Sequence, residues 1–206
     1  MTDSLDTAQL IAIASVLGFA SGIRLYLVLF AVGLAGYMQW AELPAGLQLL
    51  AQPWVLGASG LMMAVEFFAD KVPALDSLWD TVHTLIRIPA GAALAAAIFG
   101  ADSATWATVA ALLGGSLAAT SHFTKAGSRA LINTSPEPFS NVVASSAEDV
   151  LAGGLLLLVL AYPWVAAAIV LLLVLLALWL LPKLFRFVVR LLRRLTGGEP
   201  ATEQGR

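Results

Sequence analysis

Apolar residues fall into long runs separated by short polar clusters, without the strict alternation of a half-buried strand. A membrane-spanning helix needs roughly 20 apolar residues, and six stretches approach that length. Leu10 to Gly36 is interrupted by Arg24 alone, and Pro53 to Phe68 meets Glu66 near its end. The third, about Ile88 to Ala101, is short and starts beside Pro89; the fourth runs from Ala104 to about Thr120. Val142 to Ala161 contains Glu148 and Asp149, and Val165 to Leu181 is uninterrupted. Pro53 and Pro163 stand where helices would begin, a position proline tolerates. Trp54 and Trp164 follow them, as suits a membrane interface. The shared Pro-Trp-Val at 53–55 and 163–165 fits two interfacial helix starts and also an internal duplication.

The pattern predicts an all-α, polytopic transmembrane helix bundle of about six spans. Lysine and arginine set its orientation. Lys183, Arg186, Arg190, Arg193 and Arg194 make the C-terminal stretch basic and hence cytoplasmic. Counting back through six helices puts Lys71, Arg87, Lys125 and Arg129 on the same side. The opposite connections, near 37–52, 100–103 and 161–163, contain no lysine or arginine. Both termini are therefore expected inside. The expected division is a cytoplasmic segment 1–9, a transmembrane domain 10–181, a basic amphipathic cytoplasmic helix 182–196 and a disordered tail 197–206. The stretch Lys183–Arg194 sets apolar residues beside basic ones and would lie on anionic lipid.

Composition agrees. Of 206 residues 60% are hydrophobic and 12% charged, about half the charge of a soluble domain, and the mean hydropathy is +0.88. The absence of cysteine excludes disulfides and thiolate chemistry. The first residues, including Asp3 and Asp6, are acidic where a signal peptide would be basic, so the first run reads as a retained helix. A membrane location follows as the expectation, with no nucleic-acid partner. Short helices enclosing little volume point to a homo-oligomer.

The polar residues carry the chemistry. Arginine at the centre of a spanning helix costs about 2.5–3.5 kcal/mol on insertion scales, so Arg24 needs an acid, a ligand or water. Gly18 and Gly22 just before it allow close helix approach. A second cluster comprises Glu66, Asp70, Asp76, Asp80, His83 and Arg87. Over residues 75–87 the polar members share one helical face, on a helix that lies on the interface or enters the bundle as a re-entrant segment. Asp76, Asp80 and His83 present oxygen and imidazole donors that would suit a divalent cation, the sole cofactor expected. The third cluster spans 121–141. There His122, Lys125, Ser128 and Arg129, with the Gly127 backbone, would cradle an anion in a loop stiffened by Pro136 and Pro138. Glu148 and Asp149 complete the candidate ligand or ion pathway.

Three stretches, 17–36 (LGFASGIRLYLVLFAVGLAG), 65–91 (VEFFADKVPALDSLWDTVHTLIRIPAG) and 121–141 (SHFTKAGSRALINTSPEPFSN), together resemble a bacterial family of small multi-span membrane proteins catalogued as a domain of unknown function. The resemblance implies a membrane location and no established chemistry. Ala126-Gly127-Ser128-Arg129 is also similar to the Pro-Gly-x-Ser-Arg motif of undecaprenyl-pyrophosphate phosphatases. It lacks the proline and one intervening residue, and no Glu-x-x-x-Glu pair accompanies it.

The first functional expectation is a transporter or channel for a small solute or ion, since short hydrophobic segments beside intramembrane charges mark such sites. The alternatives are a structural or assembly protein whose charges tie helices together, and an enzyme acting on a phosphate-bearing lipid through His83 or His122.

Overall fold

The computed structural model describes residues 6–100, 103–134 and 139–195. The expected tail 197–206 lies outside them, as do Pro136 and Pro138. Six α-helices form: α1 Thr7–Tyr37, α2 Pro53–Ala69, α3 Pro73–Ala97, α4 Ala104–Ile132, α5 Phe139–Ala161 and α6 Pro163–Leu195. A short 3₁₀ helix, Ala45–Ala51, precedes α2, and no strand forms among the described residues. Asp6 caps α1 by accepting from the Gln9 backbone N–H while the Gln9 side chain accepts from Asp6 N–H, a reciprocal pair that satisfies two otherwise free donors. Pro53 and Pro163 do open helices, and Trp54 and Trp164 are exposed.

Three helices are longer than the expected spans. The amphipathic segment 75–87 and the span from 88 are one helix, α3, with Pro89 inside it. The polar segment after 120 is not a loop: it continues α4 to Ile132. The basic C-terminal helix is continuous with the last apolar run in α6, across Pro182. Each polar stretch keeps helical spacing without a break in the backbone; in α3 and α4 the charged face turns inward against other helices, whereas Lys183, Arg186 and Arg190 of α6 are exposed.

Helices Thr7–Tyr37, Phe139–Ala161 and Pro163–Arg193 are long and apolar enough to cross a membrane. The pair Ala45–Ala51 and Pro53–Ala69, bent by 71°, makes a fourth if counted as one span. Large apolar side chains cover the outside of α6, including Leu171, Leu172, Leu175 and Leu176, all half or more exposed. A soluble protein rarely shows contiguous apolar surface of this kind.

Helix α1 is not one straight rod. Arg24 leaves helical geometry, at φ −140° and ψ 77°, and the contacts on either side of it show a reversal. Gly18 lies against Gly114 of α4, Gly114 against Ala95 of α3, and Ala97, further along α3, against Gly46. Four residues after Gly46, Leu50 lies against Gly33. A straight helix would carry Gly33 about 22 Å beyond Gly18, in the direction away from Ala97. The contacts therefore require α1 to double back at Arg24. Ala14 and Leu17 of its first limb share one apolar cluster with Leu25 and Val28 of its second, and with Leu47, Leu94 and Ala95.

Seven helical segments thus run between two ends of the described bundle: the two limbs of α1, then α2 to α6. The start of α1, the 3₁₀ helix and the α3–α4 and α5–α6 connections share one end. The turn at Arg24, the α2–α3 connection, the end of α4, the start of α5 and the end of α6 share the other. Thr7 and Leu195, the outermost helical residues described, stand at opposite ends of this bundle. The first apolar run read as one span because nothing in its composition marks a turn except Arg24 itself.

Glycine allows this packing. A Cβ on Gly18 would stand 2.6 Å from Gly114 Cα, and one on Gly91 would stand 2.7 Å from Ser21 Oγ. Helices α1, α3 and α4 so approach nearly backbone to backbone, the close contact that small residues permit inside membranes.

A buried charge network at the turn of α1

Four helices bring a charged face to the turning point of α1. Glu66 and Asp70 sit at the end of α2. Asp76, Asp80, His83 and Arg87 follow at helical spacing on α3, and all four are buried. Leu75, Leu78, Val82, Leu85 and Ile86 point outward from the same helix, as the 3.6-residue period dictates. His122, Lys125, Arg129 and Asn133 form the matching stripe on α4, and Asn141, Ser145 and Glu148 that of α5. The segment 75–87 therefore enters the bundle.

Arg24 donates to Asp70 Oδ2, to the Ser145 carbonyl at 3.0 Å and to Ser145 Oγ at 2.9 Å. It also lies 2.9 Å from Asp149 and 3.4 Å from Glu148. Lys125 reaches Asp70 at 2.8 Å, Asp80 at 3.3 Å and Glu148 at 3.6 Å. Arg87 bridges Glu66 at 2.5 Å and Asp80 at 2.7 Å. Arg129 grips both Glu148 oxygens at 2.9 Å and also donates to Asn141 Oδ1 at 3.0 Å. Such forked arginine–carboxylate pairs fix geometry as well as charge. The interrupted backbone of α1 is tied in by Ser121, whose hydroxyl donates to the Phe19 carbonyl at 2.7 Å.

Four buried cations face six carboxylates, with Lys71 at the rim donating to the Phe67 carbonyl. Five of the six acids have a cation within 2.9 Å. Asp76 does not: its nearest cationic nitrogen is Arg129 Nε, 3.9 Å away. One oxygen each of Glu66, Asp70, Asp76 and Asp80 is buried without a hydrogen-bond partner.

The network unites Arg24, Glu66, Asp70, Asp76, Asp80, Arg87, Lys125, Arg129, Glu148 and Asp149 from the expected pathway. His122 joins it through Arg87 Nη1, 3.2 Å from Nδ1, and its Nε2 meets Thr84 Oγ1 at 2.7 Å. His83 stands apart: it stacks on Trp79, and its Nε2 meets the Tyr26 hydroxyl at 3.1 Å. The structure does not assemble the expected cation site of Asp76, Asp80 and His83. Their partners are Asn133, Arg87 and Tyr26 respectively, and no metal-competent group of three or more His, Asp or Glu occurs among the described residues. Nor does an anion cradle form. Lys125 and Arg129 are taken up by carboxylates, Gly127 packs on Leu184 of α6, and Ser128 is partly buried outside the network.

Ser145, Asn141, Asn133 and Thr84 belong to the site; Asn141 and Asn133 fall within the expected 121–141 cluster but were not named among its ligands. The regular steps between Asn141, Ser145 and Glu148 could have found Ser145 and Asn141, since they mark one helical face. Nothing local links Tyr26 to His83.

Between α3 and α4 a groove of about 240 Å³ opens onto the network, lined by Ser77, Asp80, Thr81, Thr84 and Arg129 among others. A second, almost wholly apolar crevice of about 350 Å³ lies between α2 and α3, against Val65, Leu78, Trp79 and His83.

The model of the family described as "Domain of unknown function (DUF4126)" matches residues 11–183, a range that includes every member of the network. No curated protein and no solved structure matches the chain. The chain belongs to the DUF4126 family.

Proposed function

We propose that this chain is a multi-pass protein of a bacterial inner membrane that carries or conducts a small solute or ion, with the network around Arg24 as its site. The observation that carries this reading is the break in α1 at a buried arginine. Ionisable residues buried inside a membrane bundle are costly and are kept for function, and four buried cations and six carboxylates converge at this turn.

The orientation follows from the basic residues. The fold-back of α1 brings Arg24 to the end that also holds Lys71, Arg87, Lys125, Arg129, Lys183, Arg186 and Arg190. That end is cytoplasmic in this reading, and Thr7 is on the opposite face. Seven segments, rather than six, then traverse the apolar layer. Lys183 stacks on Trp179 at 2.9 Å from the ring centroid, a pairing suited to the headgroup boundary, beyond which the basic end of α6 meets anionic lipid. The reading includes a homo-oligomer.

The test is flux in vesicles holding the purified protein, with protons, sodium, potassium and phosphate as probes. The wild type should move at least one of them, and Arg24→Leu, if folded, should not. Unchanged flux in folded Arg24→Leu would refute the site; no flux of any probe in the wild type would refute this transport reading.

A second reading has its own support. Every buried cation is shared among acids from different helices, as expected of an assembly protein held together by charge. If so, exchanging Arg129 and Glu148 should restore stability and leave nothing else to lose. The lipid-phosphate enzyme reading draws no support from the geometry, because the cations meant for phosphate are already paired.

A further inference from the structure

We propose that Asp76 is the proton-binding group of the network, and that its proton decides which carboxylate holds Arg129. The proposal deepens the transport reading by naming the proton as a carried or coupled ion, and it rests on that reading for its purpose.

Three observations carry it. Asp76 is fully buried at 0% exposure. It is the one acid of the six without a cation in hydrogen-bond range, at 3.9 Å from Arg129. Its Oδ1 is buried without a hydrogen-bond partner, while Oδ2 receives Asn133 Nδ2 at 3.2 Å. A carboxylate removed from water and from direct cations is far costlier than the neutral acid. The charges acting on it are Arg129 and Lys125 of α4, Asp80 of its own helix and Asp70 at the end of α2, two of each sign. Glu148 of α5 stands behind Arg129. Six acids against four cations leave room for a proton on one of them, and Asp76 is the acid that the geometry leaves over.

With Asp76 protonated, Arg129 makes its forked pair with Glu148 at 2.9 Å. When the Asp76 O–H bond breaks, the proton passes to water and the electron pair stays on the carboxylate. That new anion competes for Arg129 Nε, and Glu148 is released toward its other neighbours, Arg24 at 3.4 Å and Lys125 at 3.6 Å. Arg24 is the turning point of α1, so the exchange reaches both limbs of that helix. The hydroxyl-lined groove beside Ser77, Thr81 and Thr84 reaches Arg129 and Asp80 and offers water a place at the network's edge. Proton binding here therefore biases two arrangements of one ion-pair set, the form that pH switches commonly take.

The experiment is infrared difference spectroscopy of the full chain in lipid as pH is raised. The wild type should lose a protonated-carboxyl C=O band, Asp76→Asn should lack that loss, and Asp76→Glu should retain a band at a shifted frequency. If Asp76→Asn does not fold, the frequency shift between wild type and Asp76→Glu carries the assignment. A wild type without the band, or a band unmoved by both substitutions, would overturn the proposal. Flux in vesicles separates the two claims: a band assigned to Asp76 without proton movement would sink the proton as a carried or coupled ion, and without movement of any probe would sink transport, each leaving proton binding standing.

Discussion

Arg24, at the turn of α1, donates to the Asp70 carboxylate 46 residues further along the chain. Lys125 of α4 donates to the same oxygen. One carboxylate at the end of α2 thus joins the two limbs of α1 to α4. Neither Arg24 nor Asp70 is exposed beyond 1%, so removal of either strands the other inside the bundle.

Arg24→Leu should destabilise the protein by about 3–5 kcal/mol, the cost of breaking a buried pair and leaving charge uncompensated. Arg24→Lys should cost less, since it keeps the charge and loses the fork to Ser145 and Asp149. Chemical denaturation in mild detergent would measure both; equal costs would argue against the multiple contacts of the guanidinium.

The fold-back of α1 predicts opposite exposure of the two chain ends. The chain contains no cysteine, so Thr7→Cys and Arg190→Cys introduce single labels at exposed positions. A membrane-impermeant thiol reagent applied from one side should label one variant and spare the other. Labelling of both from the same side would return α1 to a single span.

Glycine substitutions should divide by contact. Gly114→Ala drives a Cβ into Ala95 and to 2.7 Å from the Gly91 carbonyl, where backbone cannot yield, and overpacking of this kind costs about 1–3 kcal/mol. Gly57→Ala meets nothing within 4 Å and should be neutral or stabilising by up to about 1 kcal/mol, the helix-propensity difference. A thermal-melt comparison of the two would show the contrast.

Arg129 and Glu148 should show strong coupling in a double-mutant cycle, about 1–3 kcal/mol, as residues in one buried network do. Arg129→Gln and Glu148→Gln measured singly and together would give it. Additive costs would mean that Arg129 is held chiefly by Asn141 and the Asp70 carbonyl.

The sequence by itself determined that the chain is helical, apolar on its outside and charged at a few inner positions. Helical spacing in 75–87 already separated Asp76, Asp80 and Arg87 from Leu75, Leu78 and Val82, because a side chain's face depends only on its place in the period. It also pointed to Arg24 as a residue in need of a partner (an acid, a ligand or water), because burial of charge is costly wherever the chain goes. What it did not determine was which acids answer. Asp76, Asp80 and His83 looked like one set of ligands by spacing, yet Asp76 meets Asn133 at the end of α4, Asp80 meets Arg87 of its own helix and Lys125 of α4, and His83 meets Tyr26 of α1. The 121–132 stretch looked like a loop because its polarity is visible in sequence and its partners are not. The turn at Arg24 was decided by tertiary structure, since Gly33 and Leu50 must meet while Gly46 meets Ala97. That choice moved Arg24 from the middle of an apparent span to the charged end of the bundle, where carboxylates of α2 and α5 converge on it.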